Sequence, residues 1–185
     1  KRTFEIFFSI FLIFVLFLPI IIIILLIKFD SQGPIIYWSK RVGQNNVIFL
    51  MPKFRTMKTE TNDVASHLLN NPEKYITRFG NFLRKTSIDE IPQIYSIIKN
   101  DMNFIGPRPA LHNQNDLIEM RTKKNIHKIK PGITGYAQVN GRDILSIENK
   151  VDYDNQYYQN NNMIMNLKII LKTLILIFKR TNIKH

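Results

Sequence analysis

A chain of 185 residues has room for one hydrophobic core of moderate size and one structural unit. Its 26 lysines and arginines against 14 acids give a net charge of +12, spread along the chain, which implies an anionic partner: nucleic acid, a lipid surface or a phosphorylated substrate. The lack of cysteine excludes disulfides, thiolate catalysis and cysteine-based zinc or iron–sulfur sites, and the four histidines fall at no metal-ligand spacing.

The uncharged, mostly large apolar run from Ile6 to Ile27 would reach about 33 Å as an unbroken helix, enough to span a bilayer. It ends in Leu25-Leu26-Ile27-Lys28-Phe29-Asp30 with no small-residue cleavage site, so it reads as a retained anchor rather than a signal peptide. Pro19 interrupts it, and both flanks are basic, Lys1 and Arg2 before and Lys28 after. Two arrangements fit: a re-entrant helix broken at the proline, with both ends on the cytoplasmic side, or a single kinked span. Residues 1–29 form this anchor and residues 30–185 the remainder of one unit.

Turn-forming residues concentrate in the middle of the chain, from Gly33 to Gly141. The runs Gly33–Trp38 and Val47–Leu50 flank Gly43-Gln44-Asn45-Asn46 and predict a short β-hairpin. If extended, Lys53 and Arg55 alternate and so share a face, a pattern that an ordinary exposed strand edge would also show. Helical spacing follows over Tyr75–Lys85 and Pro92–Lys99, with Ser87-Ile88-Asp89-Glu90 in the link. That tetrad matches a capping box, with Ser87 as cap and Glu90 reaching back, although Pro92 also fits the first turn of a helix starting there. In either register the two carboxylates lie at a helix amino terminus, where exposed amides and the helix dipole favour phosphate. Near the end, Asn166–Arg180 is apolar around most of its circumference, with Lys168, Lys172 and Lys179 in a narrow stripe, as in a helix lying at a membrane interface. No Walker loop or dinucleotide fingerprint is present, since the glycines of Gly132-Ile133-Thr134-Gly135 have the wrong spacing. The fold class expected is α+β, mainly helical, with a small hairpin-bearing catalytic domain.

Adjacent helical residues point about 100° apart, so Asp89 and Glu90 divide their work: one can face phosphorus while the other binds a cation. Aspartate can attack phosphorus to give an acyl phosphate when cations neutralise the oxygens of the phosphate it attacks.

Four stretches in order carry a resemblance: Lys53-Phe54-Arg55-Thr56-Met57, Arg84 to Gln93, Phe104-Ile105-Gly106-Pro107-Arg108-Pro109, and Lys130 to Arg142. On these the chain resembles the bacterial sugar transferases, small monotopic phosphoglycosyl transferases, over nearly its whole length and in their minimal catalytic form. The resemblance implies a re-entrant membrane helix, interfacial amphipathic helices and a location on the cytosolic face of the bacterial inner membrane. It implies a ping-pong reaction in which Asp89 takes a phosphosugar from a UDP-sugar, UMP leaves, and polyprenyl phosphate attacks the enzyme-bound intermediate, as the first membrane step of glycan assembly. Glu90 then looks like the Mg2+ ligand. Lys53, Arg55, Arg84, Arg108 and Arg142 look like phosphate or nucleotide contacts, and Asp154 like an arginine partner or an outer metal ligand. Pro107 and Pro109 bracket Arg108 in a stiffened loop suited to presenting its guanidinium, and Arg142 follows the Asn140-Gly141 turn. The partners implied are donor, acceptor, bilayer and downstream glycosyltransferases, not nucleic acid. Family members often carry serine where this chain has Leu18 and glycine where it has Asn46. A membrane-anchored basic lipid-binding protein and an aspartyl-phosphate phosphohydrolase are the rival readings.

Overall fold

The structure is a computed structural model and describes residues 2–59, 61, 72–141 and 144–179. It is mainly helical, and the chain divides into two compact units: Lys1–Ser39 with Met51–Ile98, and Lys40–Leu50 with Lys99–Lys184.

The first unit opens with α1 (Arg2–Val15) and α2 (Phe17–Asp30), whose axes are bent by 62° at Leu16. The break falls three residues before Pro19, and the reason is local. A proline ring collides with the carbonyl four residues earlier and cannot donate to it, so Val15 ends one helix while Pro19 sits within the first turn of the next. The neighbouring backbone bonds survive, Leu16 N–H to Leu12 O and Ile20 N–H to Leu16 O, both 2.8 Å. Among the described residues no single helix is long and apolar enough to cross a membrane, though the bent pair together has the length and composition.

The packing of α1 inverts the usual order. Glu5 and Ser9 are buried, whereas Phe4, Phe7, Phe8, Phe11 and Phe14 are exposed. A helix that turns its acid and hydroxyl inward and its phenylalanines outward suits an apolar surround rather than water. On α2, Ile23 and Ile27 instead join the core with Phe54 and Leu83.

The hairpin follows, β1 (Ile36–Val42) and β2 (Ile48–Phe54), around the expected turn; Asn45 and Asn46 both adopt left-handed backbone, φ 55° and 61°. Asparagine tolerates that conformation better than most residues, and Asn46 Nδ2 also donates to Thr122 Oγ1 at 3.0 Å. The base of the hairpin belongs to the first unit and its tip, residues 40–50, to the second.

Next comes α3 (Arg78–Thr86), capped by Thr77, whose hydroxyl accepts from Gly80 N–H. A Cβ at Gly80 would stand 2.2 Å from the Thr56 carbonyl oxygen, so only glycine lets α3 press onto the segment leaving β2. The left-handed Ser87 ends α3, a 3-10 turn spans Ile88–Gln93, and α4 (Ile94–Ile98) closes the unit.

In the second unit β3 (Asn103–Ile105) and, beyond α5 (Asn115–Lys123), β4 (Gly132–Thr134) pair in parallel, with Asn103 opposite Gly132 and Ile105 opposite Thr134. A Cβ at Gly132 would lie 2.1 Å from Gly106 N, and one at Gly135 2.1 Å from Gly106 O. These motif glycines therefore serve close backbone approach, not a phosphate loop. Three helices follow: α6 (Tyr136–Val139), α7 (Ile147–Gln159) and α8 (Met163–Lys179). Ala110, Leu117, Ile126 and Val151 form this unit's core. Along α8, Ile169 is buried while Ile164, Leu167, Ile170, Leu171, Leu174 and Ile175 are exposed. Its Lys172 donates to Asn140 Oδ1 at 2.8 Å. The Lys179 side chain lies outside the described residues.

Candidate active site

The carboxylate pair is held differently from a capping box. Ser87, at φ 57° and ψ 17°, sends its N–H back to Arg84 O and Leu83 O and makes no side-chain cap to the turn that follows, so it terminates α3 rather than starting a helix. The 3-10 turn from Ile88 carries Asp89, Glu90 and Pro92. Proline cannot donate to the Asp89 carbonyl, a loss that a short 3-10 turn tolerates better than an α-helix interior.

Asp89 is only 7% exposed, and Gln93 in the same turn is fully buried. Lys53, near the end of β2, meets both carboxylates: its Nζ donates to Glu90 Oε1 at 2.9 Å and lies 3.8 Å from Asp89 Oδ2. Arg84 completes the group from α3. Its Nε donates to Thr56 Oγ1 at 3.1 Å, and burial pushes the guanidinium below its ordinary value, opposed by the attraction of Asp89. Two carboxylates and two cations thus converge in a largely buried cluster, where charges act more strongly than in water.

Arg55 does not join them. It follows the last residue of β2, and its Nη2 donates to Ser31 O at 2.7 Å and Ser31 Oγ at 2.8 Å, tying down the exit of α2. Burial lowers its guanidinium from its ordinary value, with Asp30 opposing.

Arg108 and Asp154 belong to the second unit. The loop carrying Arg108 is stiff for a reason beyond its two prolines: four successive carbonyls are each engaged. Pro107 O accepts from Gly132 N–H at 3.0 Å, Arg108 O from Arg121 Nη1 at 2.8 Å, Pro109 O from Arg41 Nη1 at 3.1 Å and Ala110 O from Val42 N–H at 2.9 Å. A cavity of about 30 Å³ is lined by Pro107, Ala110, Arg121 and His127 among others, room for water and not for a substrate.

Asp154 on α7 is paired with an arginine of its own unit. Its Oδ2 accepts from Arg121 Nε at 3.0 Å and Nη2 at 2.6 Å, with the carboxylate 1% exposed. Burial raises its carboxyl above the ordinary value, against the pull of Arg121 and Lys150. No spacing in the sequence links Arg121 to Asp154, which lie on separate helices, so this partner was not anticipated. Arg142 lies outside the described residues.

For a cation, no group of three or more metal-ligating side chains occurs among the described residues. Magnesium needs none: one or two carboxylates, completed by substrate phosphate oxygens and water, are its common mode. Adjacent Asp89 and Glu90 fit that donor set.

The sequence model of the family described as bacterial sugar transferase matches residues 1–180. The chain belongs to the bacterial sugar transferase family. This transferase is 36% identical over 176 residues to an uncharacterized sugar transferase, EpsL, of Bacillus subtilis, covering 94% of this chain and 85% of that protein. It is 34% identical over 183 residues to the UDP-glucose:undecaprenyl-phosphate glucose-1-phosphate transferase of Escherichia coli, covering 94% of this chain and 39% of that protein. To the undecaprenyl-phosphate galactose phosphotransferase of Salmonella typhimurium it is 33% identical over 197 residues, 97% of this chain and 40% of that one. The transferase thus spans about two fifths of these last two proteins.

Proposed function

We propose that this phosphoglycosyl transferase moves a sugar 1-phosphate from a UDP-sugar to a polyprenyl phosphate, with Asp89 as nucleophile. The observation that carries the reading is the buried Asp89, with the partly buried Glu90 beside it, facing Lys53 and Arg84.

In the first half-reaction an Asp89 oxygen bonds to the phosphorus bearing the sugar. The bond from that phosphorus to the bridging oxygen breaks, and the electron pair leaves with UMP. In the second, a polyprenyl phosphate oxygen attacks the same phosphorus, the acyl phosphate bond breaks and Asp89 is regenerated. Lys53 and Arg84 neutralise phosphate oxygens as negative charge builds on the leaving group. Magnesium, held by Glu90, would supply further neutralisation of the diphosphate when bound.

The acceptor is a lipid, and the inverted packing of α1 supports a membrane seat. Two helices of about 21 Å bent by 62° dip about 11 Å when their outer ends share one depth, within a leaflet of about 15 Å of hydrocarbon. Both outer ends are tied to one unit: Arg2 bonds Ile97 O and Ile98 O, and Asp30 Oδ2 accepts from Phe79 N–H at 3.0 Å. That supports a re-entrant pair with both ends on one face of the membrane, which we read as the cytosolic one; in the second unit, the exposed apolar face of α8 suits a membrane interface.

The test is nucleotide release from a panel of UDP-sugars by the solubilised protein with Mg2+ and undecaprenyl phosphate. UMP from the wild type and none from Asp89→Asn is the expected result. UDP as product, or UMP persisting in Asp89→Asn, overturns the mechanism, and turnover without polyprenyl phosphate makes the enzyme a hydrolase.

A further inference from the structure

The most polar residues of α1 face the protein, and nothing in the transfer reaction uses them. Arg2 is half-buried, Glu5 is 7% exposed and Ser9 is fully buried, on a helix whose other face is phenylalanine and isoleucine. The element on which α1 packs most extensively is α4. Arg2 Nη1 donates to Ile97 O at 2.7 Å and Nη2 to Ile98 O at 2.8 Å. Those are the last two carbonyls of a five-residue helix. A helix so short does not sustain itself, and its terminal carbonyls have no partner within it. Arg2 provides partners for two of them. Ser9 of α1 and Ser96 of α4 are both fully buried.

The other end of α4 runs directly into the catalytic turn. Ile94 N–H bonds Ile91 O and Pro92 O, so residues 88–98 form one continuous helical run. From Glu90 to Ile97 that run is about 12 Å long. A tilt of about 5° at the Arg2 end moves the dyad by about 1 Å, a displacement that can cost about a hundredfold in rate.

We propose that Arg2, with the buried stripe behind it, is the positioning residue of this active site: seated on the carboxyl end of α4, it sets where Asp89 and Glu90 stand. The rate consequence rests on the transferase reading; the geometric consequence does not. The chain carries its own reporter for the latter. Trp38 is the single tryptophan, and it meets Tyr95 of α4 edge-on, with ring centroids 6.1 Å apart and planes at 78°.

The experiment compares wild type, Arg2→Leu, Arg2→Lys and Asp89→Asn, each reconstituted in lipid nanodiscs. It reads acrylamide quenching of Trp38 and the steady-state kinetics of UMP release. In Arg2→Leu, Trp38 becomes more accessible to quencher, while kcat falls about 10- to 100-fold and the donor KM stays near wild type. Arg2→Lys, which keeps a cationic donor for the two carbonyls, recovers most of both signals. Asp89→Asn abolishes turnover and leaves Trp38 unchanged. Arg2→Leu with wild-type quenching and kcat overturns the proposal, as does a rise in KM at constant kcat, which would make Arg2 a substrate contact. Equal loss in Arg2→Leu and Arg2→Lys, with both failing to enter nanodiscs, also overturns it, since Arg2 would then serve insertion alone. If the wild type releases no UMP, the transferase reading fails, and the quenching comparison alone decides the positioning of α4.

Discussion

Replacing Arg121 by methionine separates the two roles that Asp154 could have played. The substitution removes both hydrogen bonds to Asp154 Oδ2, at 2.6 and 3.0 Å, and the one to Arg108 O at 2.8 Å, while the carboxylate stays 99% shielded if the fold holds. Leaving a buried charge uncompensated costs about 3–5 kcal/mol, which for a chain of this size lowers the melting temperature by about 6–20 °C. The pH dependence has a definite sign. Burial already raises the Asp154 carboxyl, so its ionisation opposes folding, and losing Arg121 raises it further. A group with a raised folded-state value lends stability that is fully present below its unfolded value and disappears as pH rises through the folded one. The deficit of Arg121→Met is therefore smallest in acid and grows toward neutral pH. In the double variant Arg121→Met/Asp154→Leu the stranded charge is gone, leaving the orphaned Arg108 carbonyl at about 1–3 kcal/mol. Thermal melts followed by circular dichroism at acid and neutral pH, alongside UMP release, read all of this. A wild-type melt for Arg121→Met, or a double variant no better than the single, refutes the structural reading. A double variant that melts normally but cannot turn over returns Asp154 to the chemistry.

Three further outcomes follow from the geometry. Lys53→Met removes the cation 2.9 Å from Glu90 and 3.8 Å from Asp89, and UMP release should fall by about 10²–10³, measured at saturating donor. Gly80→Ala drives a Cβ to within 2.2 Å of Thr56 O, forcing α3 off its seat at a cost of about 1–3 kcal/mol, visible as a lower melting temperature. With no native cysteine, single cysteines at the exposed Thr3 and Lys40 should label from the same face of sealed vesicles; labelling from opposite faces removes the re-entrant arrangement.

Elements with strong local signals were legible in the sequence. The turn Gly43–Asn46 placed the hairpin, although β1 and β2 run on past the apolar runs to Val42 and Phe54 and take in Lys40, Arg41, Met51 and Lys53. The helices came out close to their positions, Arg78–Thr86 against the expected Tyr75–Lys85 and Met163–Lys179 against Asn166–Arg180. What failed had a tertiary cause. Ser87 and Glu90 spell a capping box, but the left-handed Ser87 is used to end α3. The alternation of Lys53 and Arg55 predicts one shared face, yet β2 stops between them, and Ser31 and the dyad draw their side chains to different partners. The parallel pair β3–β4 has three residues per strand and no periodicity to read; only the mutual approach of Gly106 and Gly132 gives their glycines a purpose. Asp89 and Glu90 are proposed as the reactive pair on motif resemblance, since their spacing alone favours the cap.

The outward phenylalanines of α1 also bear on what stability means for this chain. In water, Phe4, Phe7, Phe8, Phe11 and Phe14 are contacts that the folded chain leaves open. An apolar phase that holds them in their native arrangement more tightly than it holds the unfolded chain stabilises by mass action. Well above half-saturation, each tenfold rise in accessible lipid or detergent adds about 1.4 kcal/mol. A melting temperature for this transferase is then a joint property of chain and solubilising phase, and two preparations can be compared only at the same lipid-to-protein ratio.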